Sequence, residues 1–243
     1  MPTLKRVYNI IRYGLGSRAR ERKQAAKAAA RQAKFESGLW QHGEAFAQRT
    51  YSSYDEYVIH QTAKLDKIID RLRETETEDL AEFQKRFKGC PALPEVRSVL
   101  CLGARLGTEV KALHSLGYFA VGVDLNPGLE NPYVLPGDFH KLVFADGSVD
   151  AVYTNALDHA FDLATIVSEV WRLLRADGLF IVDLLPGYEE GFIPGAFEAT
   201  YWRNADTLIK KILELSSFSL DEIRDLGQHR RDRWMQALFR KTV

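Results

Sequence analysis

Apolar positions follow two different periods along this chain. Before about residue 88 they recur every three or four residues, the spacing that lines one face of a helix. After Val96 they fall in short runs bounded by glycine, aspartate and proline, as buried strands do. Leu4, Val7, Tyr8, Ile11 and Leu15 make a first helical stripe, broken at Gly14, Gly16 and Ser17. Ser17 is placed to cap an alanine-rich helix over 18–34. One or two further helices are predicted over 52–88, with the apolar stripe Tyr57, Ile59, Leu65, Ile68, Ile69 and Leu72. Pro91 and Pro94 then mark a boundary. Beyond it, strands are predicted at 98–102, 120–124, 133–135, 151–154, 179–184, 218–224 and 235–239, with helices at 108–116, 163–175 and 204–215.

Strands alternating with helices predict an α/β fold, a doubly wound and mostly parallel seven-stranded sheet. The last two strands have no helix between them, so an antiparallel edge is expected. The organisation reads as a basic helical arm (1–50), a helical lid or docking segment (51–90) and a Rossmann-like domain (91–243).

The stretch from Val96 to Asp124 adds chemistry to this pattern. It joins a strand, a turn bracketed by Gly103 and Gly107, a helix and a second strand ending in Asp124. That is the layout of a nucleoside-binding βαβ unit, with backbone N–H groups at a helix start and a carboxylate for ribose hydroxyls. A dinucleotide turn needs glycines at the positions of Arg105 and Thr108, which argues against a pyrophosphate ligand.

Residues 99–108 are similar instead to the V-L-D-L-G-C-G-T-G loop of class I, Rossmann-like methyltransferases dependent on S-adenosylmethionine (SAM), in particular the type 11 group. Gly122-Val123-Asp124-Leu125-Asn126 resembles that family's second motif, and Gly137-Asp138-Phe139 its third. Residues 144–152 match F-x-D-x-S-F-D-x-V, Asn155–His159 the loop after the fourth strand, and residues 173–179 the L-L-R-P-G-G motif. The resemblance covers about 96–185 and implies SAM as cofactor. It assigns Gly103, Ala104, Arg105, Gly107, Thr108, Asp124, Leu125, Asn126, Asp138, Phe139 and Asn155 to cofactor binding. Two positions depart from the pattern: Cys101 stands where the family has an acid, and Arg105 where it has a glycine. Arg105 can replace a lost contact by pairing with the cofactor's methionine carboxylate. Glu109 is within sequence reach of the amino group, or serves simply as an acid at a helix start.

Methyl transfer needs an in-line nucleophile and, for a hydroxyl, a base. His159 and Asp158 are the catalytic candidates; Asp158 is equally placed to cap the next helix. Tyr57 and His60 on the lid, and Tyr188 and Trp202 in the loop after the fifth predicted strand, are candidates for contacting the acceptor. The function expected is methyl transfer to a small molecule or glycan, at oxygen; no N-P-P-Y or D-P-P-Y follows the fourth predicted strand. The rival readings are a non-catalytic SAM-binding or interaction protein, resting on Cys101 and Arg105, and an RNA methyltransferase. The histidines show no metal-ligand spacing.

Charge changes the picture only at the start of the chain. The formal net charge is +0, yet Lys5, Arg6, Arg12, Arg18, Arg20, Arg22, Lys23, Lys27, Arg31 and Lys34 face only Glu21 and Glu36 across residues 1–36. That asymmetry points to an anionic membrane surface or polymer as partner, with nucleic acid favoured less and a homo-oligomer open. Two cysteines, Cys90 and Cys101, and no long apolar run fit a cytoplasmic protein, peripheral to a membrane at most.

Overall fold

The computed structural model describes residues 22–242. The expected stripe from Leu4 to Leu15 and its neighbour Ser17 lie outside them. Residues 22–35 form helix α1, exposed along most of its length and anchored at its end by Phe35, which packs edge-on against Trp40 at 5.2 Å. Residues 40–49, counted with the helical arm from sequence, instead form a hairpin of β1 (Trp40–His42) and β2 (Phe46–Arg49). The lid is α2 (Tyr54–Thr62) and α3 (Lys64–Lys88), separated at Ala63. Ser53 caps α2 by accepting from the Glu56 N–H.

Next come β3 (Ser98–Leu102), α4 (Thr108–Ser115), β4 (Phe119–Asp124), β5 (Val134–Pro136) and β6 (Val149–Thr154). They are followed by α5 (Leu163–Leu173), β7 (Leu174–Leu184), β8 (Thr200–Trp202), α6 (Ala205–Glu214), β9 (Phe218–His229) and β10 (Asp232–Lys241). The main sheet has seven strands in the order β5-β4-β3-β6-β7-β10-β9. Strands β5, β4, β3, β6 and β7 are parallel; β10 runs antiparallel between β7 and the edge strand β9.

Helices cover both faces, which is why β3 reads as continuously apolar rather than alternating: Val99 to Leu102 are all buried. One core lies between the sheet and α5 and α6. The other lies under α4 and the C-terminal half of α3. Successive strands depart from β3 in opposite directions, to β4 on one side and β6 on the other. The crevice at this switch point, at the carboxyl ends of the strands, is where such sheets hold ligands.

Two additions were not legible from periodicity. β8 pairs with β2 to complete a three-stranded sheet, β1-β2-β8, from segments about 150 residues apart. And β7 begins at Leu174, so the predicted helix over 163–175 ends two residues early and the strand absorbs the Asp177-Gly178 turn. Asp177 takes φ +59 there, and the β6–β7 register shifts between Val149 and Ala151.

Candidate active site

The turn after β3 is built by three residues with positive φ: Gly103 (+71), Arg105 (+46) and Gly107 (+75). A Cβ at Gly103 would sit 2.5 Å from the Ala156 Cβ, and one at Gly107 would sit 2.9 Å from Tyr133 and Val134, so only glycine fits at either position. Arg105 adopts the same left-handed region with a side chain. It is held there by its N–H, which donates to Asp124 Oδ2 at 3.0 Å, and by its carbonyl, which accepts from Asn131 Nδ2 at 3.1 Å. The other Asp124 oxygen accepts the Asn126 N–H at 2.8 Å. The carboxylate thus ties the glycine turn to the end of β4 while facing the crevice.

A cleft of about 540 Å³, part of it open to solvent, occupies the switch point. Its floor is Gly103, Arg105, Asp124, Leu125, Asn126 and Phe139; its roof is Tyr57, Gln61, Lys64 and Leu65 from the lid. The lid is fastened by named bonds. Asn126 Nδ2 donates to the Thr62 carbonyl (2.9 Å), Tyr57 Oη to the His159 carbonyl (3.0 Å) and Gln61 Nε2 to the Phe197 carbonyl (2.8 Å). Asp138, the predicted adenine partner, takes a hydrogen bond from Tyr54 Oη on the lid and two from His140. Burial pushes its carboxyl up, but those hydrogen bonds outweigh burial and hold it below the usual 3.8.

A second, larger cavity opens from the first. Ala104, Thr108, Asn155 and Asp158 line it, together with the α3 face at Ile68, Leu72 and Thr75 and with Phe192, Phe197 and Glu198. Arg31, from the end of α1, lines it too, its guanidinium 5.7 Å from the Phe192 ring. The two cavities share four residues: Lys64, Gly103, Arg105 and His159.

That shared wall carries several strongly shifted ionisable groups. His159 is buried, with Nδ1 2.9 Å from the Phe197 carbonyl and Nε2 against Lys64 Nζ. A carbonyl accepts only from an N–H, so Nδ1 carries the proton and Nε2 receives the Lys64 hydrogen bond. Burial, then the charges of Lys64 and Arg105, push the imidazole well below its ordinary 6.5. Asp158 Oδ1 lies 3.6 Å from His159 Nε2 and has no hydrogen-bond partner among the described residues. Burial raises its carboxyl and lowers the Lys64 ammonium. Glu109, buried in the wall beside the glycine turn, is pushed up from 4.5 to about 8 by burial.

The sequence-predicted residues therefore divide. Gly103, Arg105, Asp124, Leu125, Asn126, Phe139, Tyr57 and His159 converge on the cleft, and Ala104, Thr108, Asn155 and Asp158 on the adjoining cavity. Gly107 acts through its conformation. The α5 cap is Asp162, which accepts from Ala164 N and Thr165 N, so Asp158 is left to face the cavity. His60 lines neither space; it bonds Tyr51 Oη at 2.9 Å and stacks on Phe197 at 5.1 Å. Trp202 is buried in β8 and donates Nε1 to the Leu185 carbonyl (3.0 Å), while Tyr188 packs on Phe35. Neither reaches the site. Gln61 and Glu198 were missed. Lys64 shares a helical stripe with Tyr57 and His60 in sequence, but nothing local says that this face closes on His159.

The comparisons agree with this geometry. Residues 100–182 match the family model described as methyltransferase domain. No curated protein matches the chain significantly. Among solved structures, the Burkholderia thailandensis 1,6-didemethyltoxoflavin-N1-methyltransferase, with bound 1,6-didemethyltoxoflavin and S-adenosylhomocysteine, is similar at 16% identity and TM-score 0.64. That match covers 85% of this chain and 100% of the other. A chain of the Haloferax volcanii complex between the Trm112 methyltransferase activator and a methyltransferase is similar at 16% identity and TM-score 0.61, over 75% and 98% of the two chains. A SAM-dependent methyltransferase of Thermotoga maritima is similar at 14% identity and TM-score 0.56, over 76% and 100%.

The fold and crevice are Rossmann-like, and residues 100–182 within them match a methyltransferase domain. The chain thus carries a methyltransferase domain.

Proposed function

We propose that this enzyme transfers the SAM methyl group to a hydroxyl oxygen of a small molecule or glycan. Asp124 would hold the ribose hydroxyls, Leu125 and Phe139 the adenine, and Arg105 the methionine carboxylate. The bound cofactor supplies an electrophilic methyl group; the chain's own residues position and deprotonate the acceptor. The observation that carries the oxygen reading is the wall between the cavities. Asp158 lines the larger cavity, and its buried Oδ1, without a hydrogen-bond partner among the described residues, lies next to His159. A hydroxyl can donate to the Asp158 carboxylate and, unlike a neutral amine, must lose its proton to react well.

Asp158 orients the acceptor in this reading, and His159 holds Lys64. The Nε2 lone pair that His159 would need as a base is engaged by Lys64. Arg31 brings the end of the basic arm to the acceptor cavity, which favours an acceptor carrying negative charge or one presented at an anionic surface. No described helix is long and apolar enough to cross a membrane.

The test is incubation of the protein and methyl-labelled SAM with metabolite, glycan and RNA fractions, followed by mass spectrometry. Labelled ethers in the metabolite or glycan fraction are expected. Label on an amine, or confined to RNA, would refute the reading.

A further inference from the structure

Lys64 stands at the one place where both cavities meet. It is the first residue of α3, carried there by the break at Ala63, and its ammonium is shielded by the lid and by Phe197, whose ring lies 5.9 Å away. Charged and titratable groups face it from every side: Arg105 after β3, Asp124 at the end of β4, Asp158 and His159 after β6, and Glu198 before β8. Lys67, one turn along α3, shares the Phe197 ring.

The order of the cofactor's parts sets what arrives at this wall. With ribose at Asp124 and the methionine end across the Gly103–Arg105 turn, the sulfur between them would lie near the shared residues. In SAM that sulfur carries a full positive charge; in S-adenosylhomocysteine it carries none. A sulfonium beside Lys64 and Arg105 is a third cation in a half-closed space, where charges are screened weakly. Arg105 cannot release a proton, whereas Lys64 can.

We propose that Lys64 is the proton acceptor of the methyl-transfer step, and that the cofactor's sulfonium converts it from ammonium to free amine before the acceptor reacts. This rests on the methyltransferase reading above and assigns the base within it. When SAM binds, Lys64 sheds one proton to solvent. The acceptor's oxygen lone pair then forms a bond to the methyl carbon while the carbon–sulfur bond pair goes to sulfur, leaving a neutral thioether. The acceptor's proton passes to the Lys64 amine, which becomes ammonium again. Repulsion ends as the sulfonium disappears, so product formation resets the base. His159, fixed through Nδ1 to the Phe197 carbonyl, is a positioning residue that holds the Lys64 nitrogen by its Nε2 lone pair. Burial already lowers the Lys64 ammonium without cofactor, so a modest added field suffices.

The experiment needs no acceptor. Calorimetric titrations of the full chain with SAM and with S-adenosylhomocysteine, near neutral pH and in buffers of different ionisation enthalpy, count protons released on binding. Release with SAM and none with S-adenosylhomocysteine is expected. Lys64→Met should abolish the release and tighten SAM relative to S-adenosylhomocysteine. Lys64→Arg, permanently charged, should abolish it while weakening SAM on the same scale by roughly tenfold, the effect of one weakly screened charge pair. Equal proton counts for the two ligands would overturn the proposal. So would release that survives in Lys64→Met and vanishes in Asp158→Asn, which would assign the proton to the carboxyl. If neither ligand binds, the cofactor reading falls with it; if both bind without differential release, this inference falls alone.

Discussion

Arg105 combines a strained backbone with a useful side chain. Its φ of +46 lies in the region that glycine adopts freely and other residues reach at a penalty of about 1–2 kcal/mol. Arg105→Gly should therefore raise stability to denaturant by about 1 kcal/mol while weakening SAM binding, because the guanidinium leaves with the strain. Unchanged SAM affinity would show that Arg105 does not touch the cofactor. Asp124→Ala should weaken S-adenosylhomocysteine by about 1.5–3 kcal/mol, roughly 10–150-fold by calorimetry, as expected for charge-assisted hydrogen bonds. Glu109 gives a pH signature. Its carboxyl ionises near 4.5 unfolded and near 8 folded, with burial the main cause. Below pH 4.5 both states are protonated; between 4.5 and 8 only the unfolded chain ionises, so stability falls as pH rises through that window. Glu109→Gln should flatten this fall in urea melts taken at several pH values. Cys101, fully buried beside it, leaves that end of the crevice with Glu109 in place of a first-strand acid.

At the scale of elements, the lid is docked by a buried ion pair. Arg86 near the end of α3 reaches Asp183 on β7 at 3.0 Å, and Asp183 also accepts from Tyr153 Oη at 2.9 Å and Gln236 Nε2 at 2.7 Å. One α3 side chain thus meets β6, β7 and β10 through a single carboxylate. Arg86→Met should cost about 3–5 kcal/mol in denaturant melts, since it strands a buried charge. Adding Asp183→Leu should recover a large part of the loss, and failure to recover would show that packing rather than charge holds α3. The central elements were legible because strand and helix periods differ and because glycine punctuates them. Boundaries moved where pairing overrode pattern: β7 begins at Leu174 because Leu174 pairs with Val149, a partner that no local window contains.

For the molecule as a whole, the switch-point cleft is roofed. The lid touches its floor through Tyr54 to Asp138, Thr62 to Asn126 and Tyr57 to the His159 carbonyl. Ligand bound under such a roof should slow amide exchange across α2 and the start of α3 beyond the general stabilisation, which is about 2.7 kcal/mol at a hundredfold excess over Kd. Uniform protection across the domain, with no excess on the lid, would argue that the cleft fills from the side. The hairpin at Trp40–Arg49 joins the same closure: β8, paired to it, follows Phe197 and Glu198 on the wall of the larger cavity, and Arg49 Nε donates to the Glu198 carbonyl at 2.8 Å.

The sequence by itself determined the doubly wound sheet, the glycine turn, Asp124 at a strand end and the order of the cofactor motifs. Each of these is a local property, set by side-chain period, by the φ a turn demands, or by spacing within one βαβ unit. Only the tertiary structure decided which groups meet at the wall between the two cavities. Lys64 and His159 are 95 residues apart and become partners because α3 lies across the sheet. The same closure leaves Asp158 an oxygen without a partner among the described residues, while Tyr188 and Trp202 go to packing. Burial and charge at that wall depend on elements brought together from the whole chain, so no single stretch of sequence contains them.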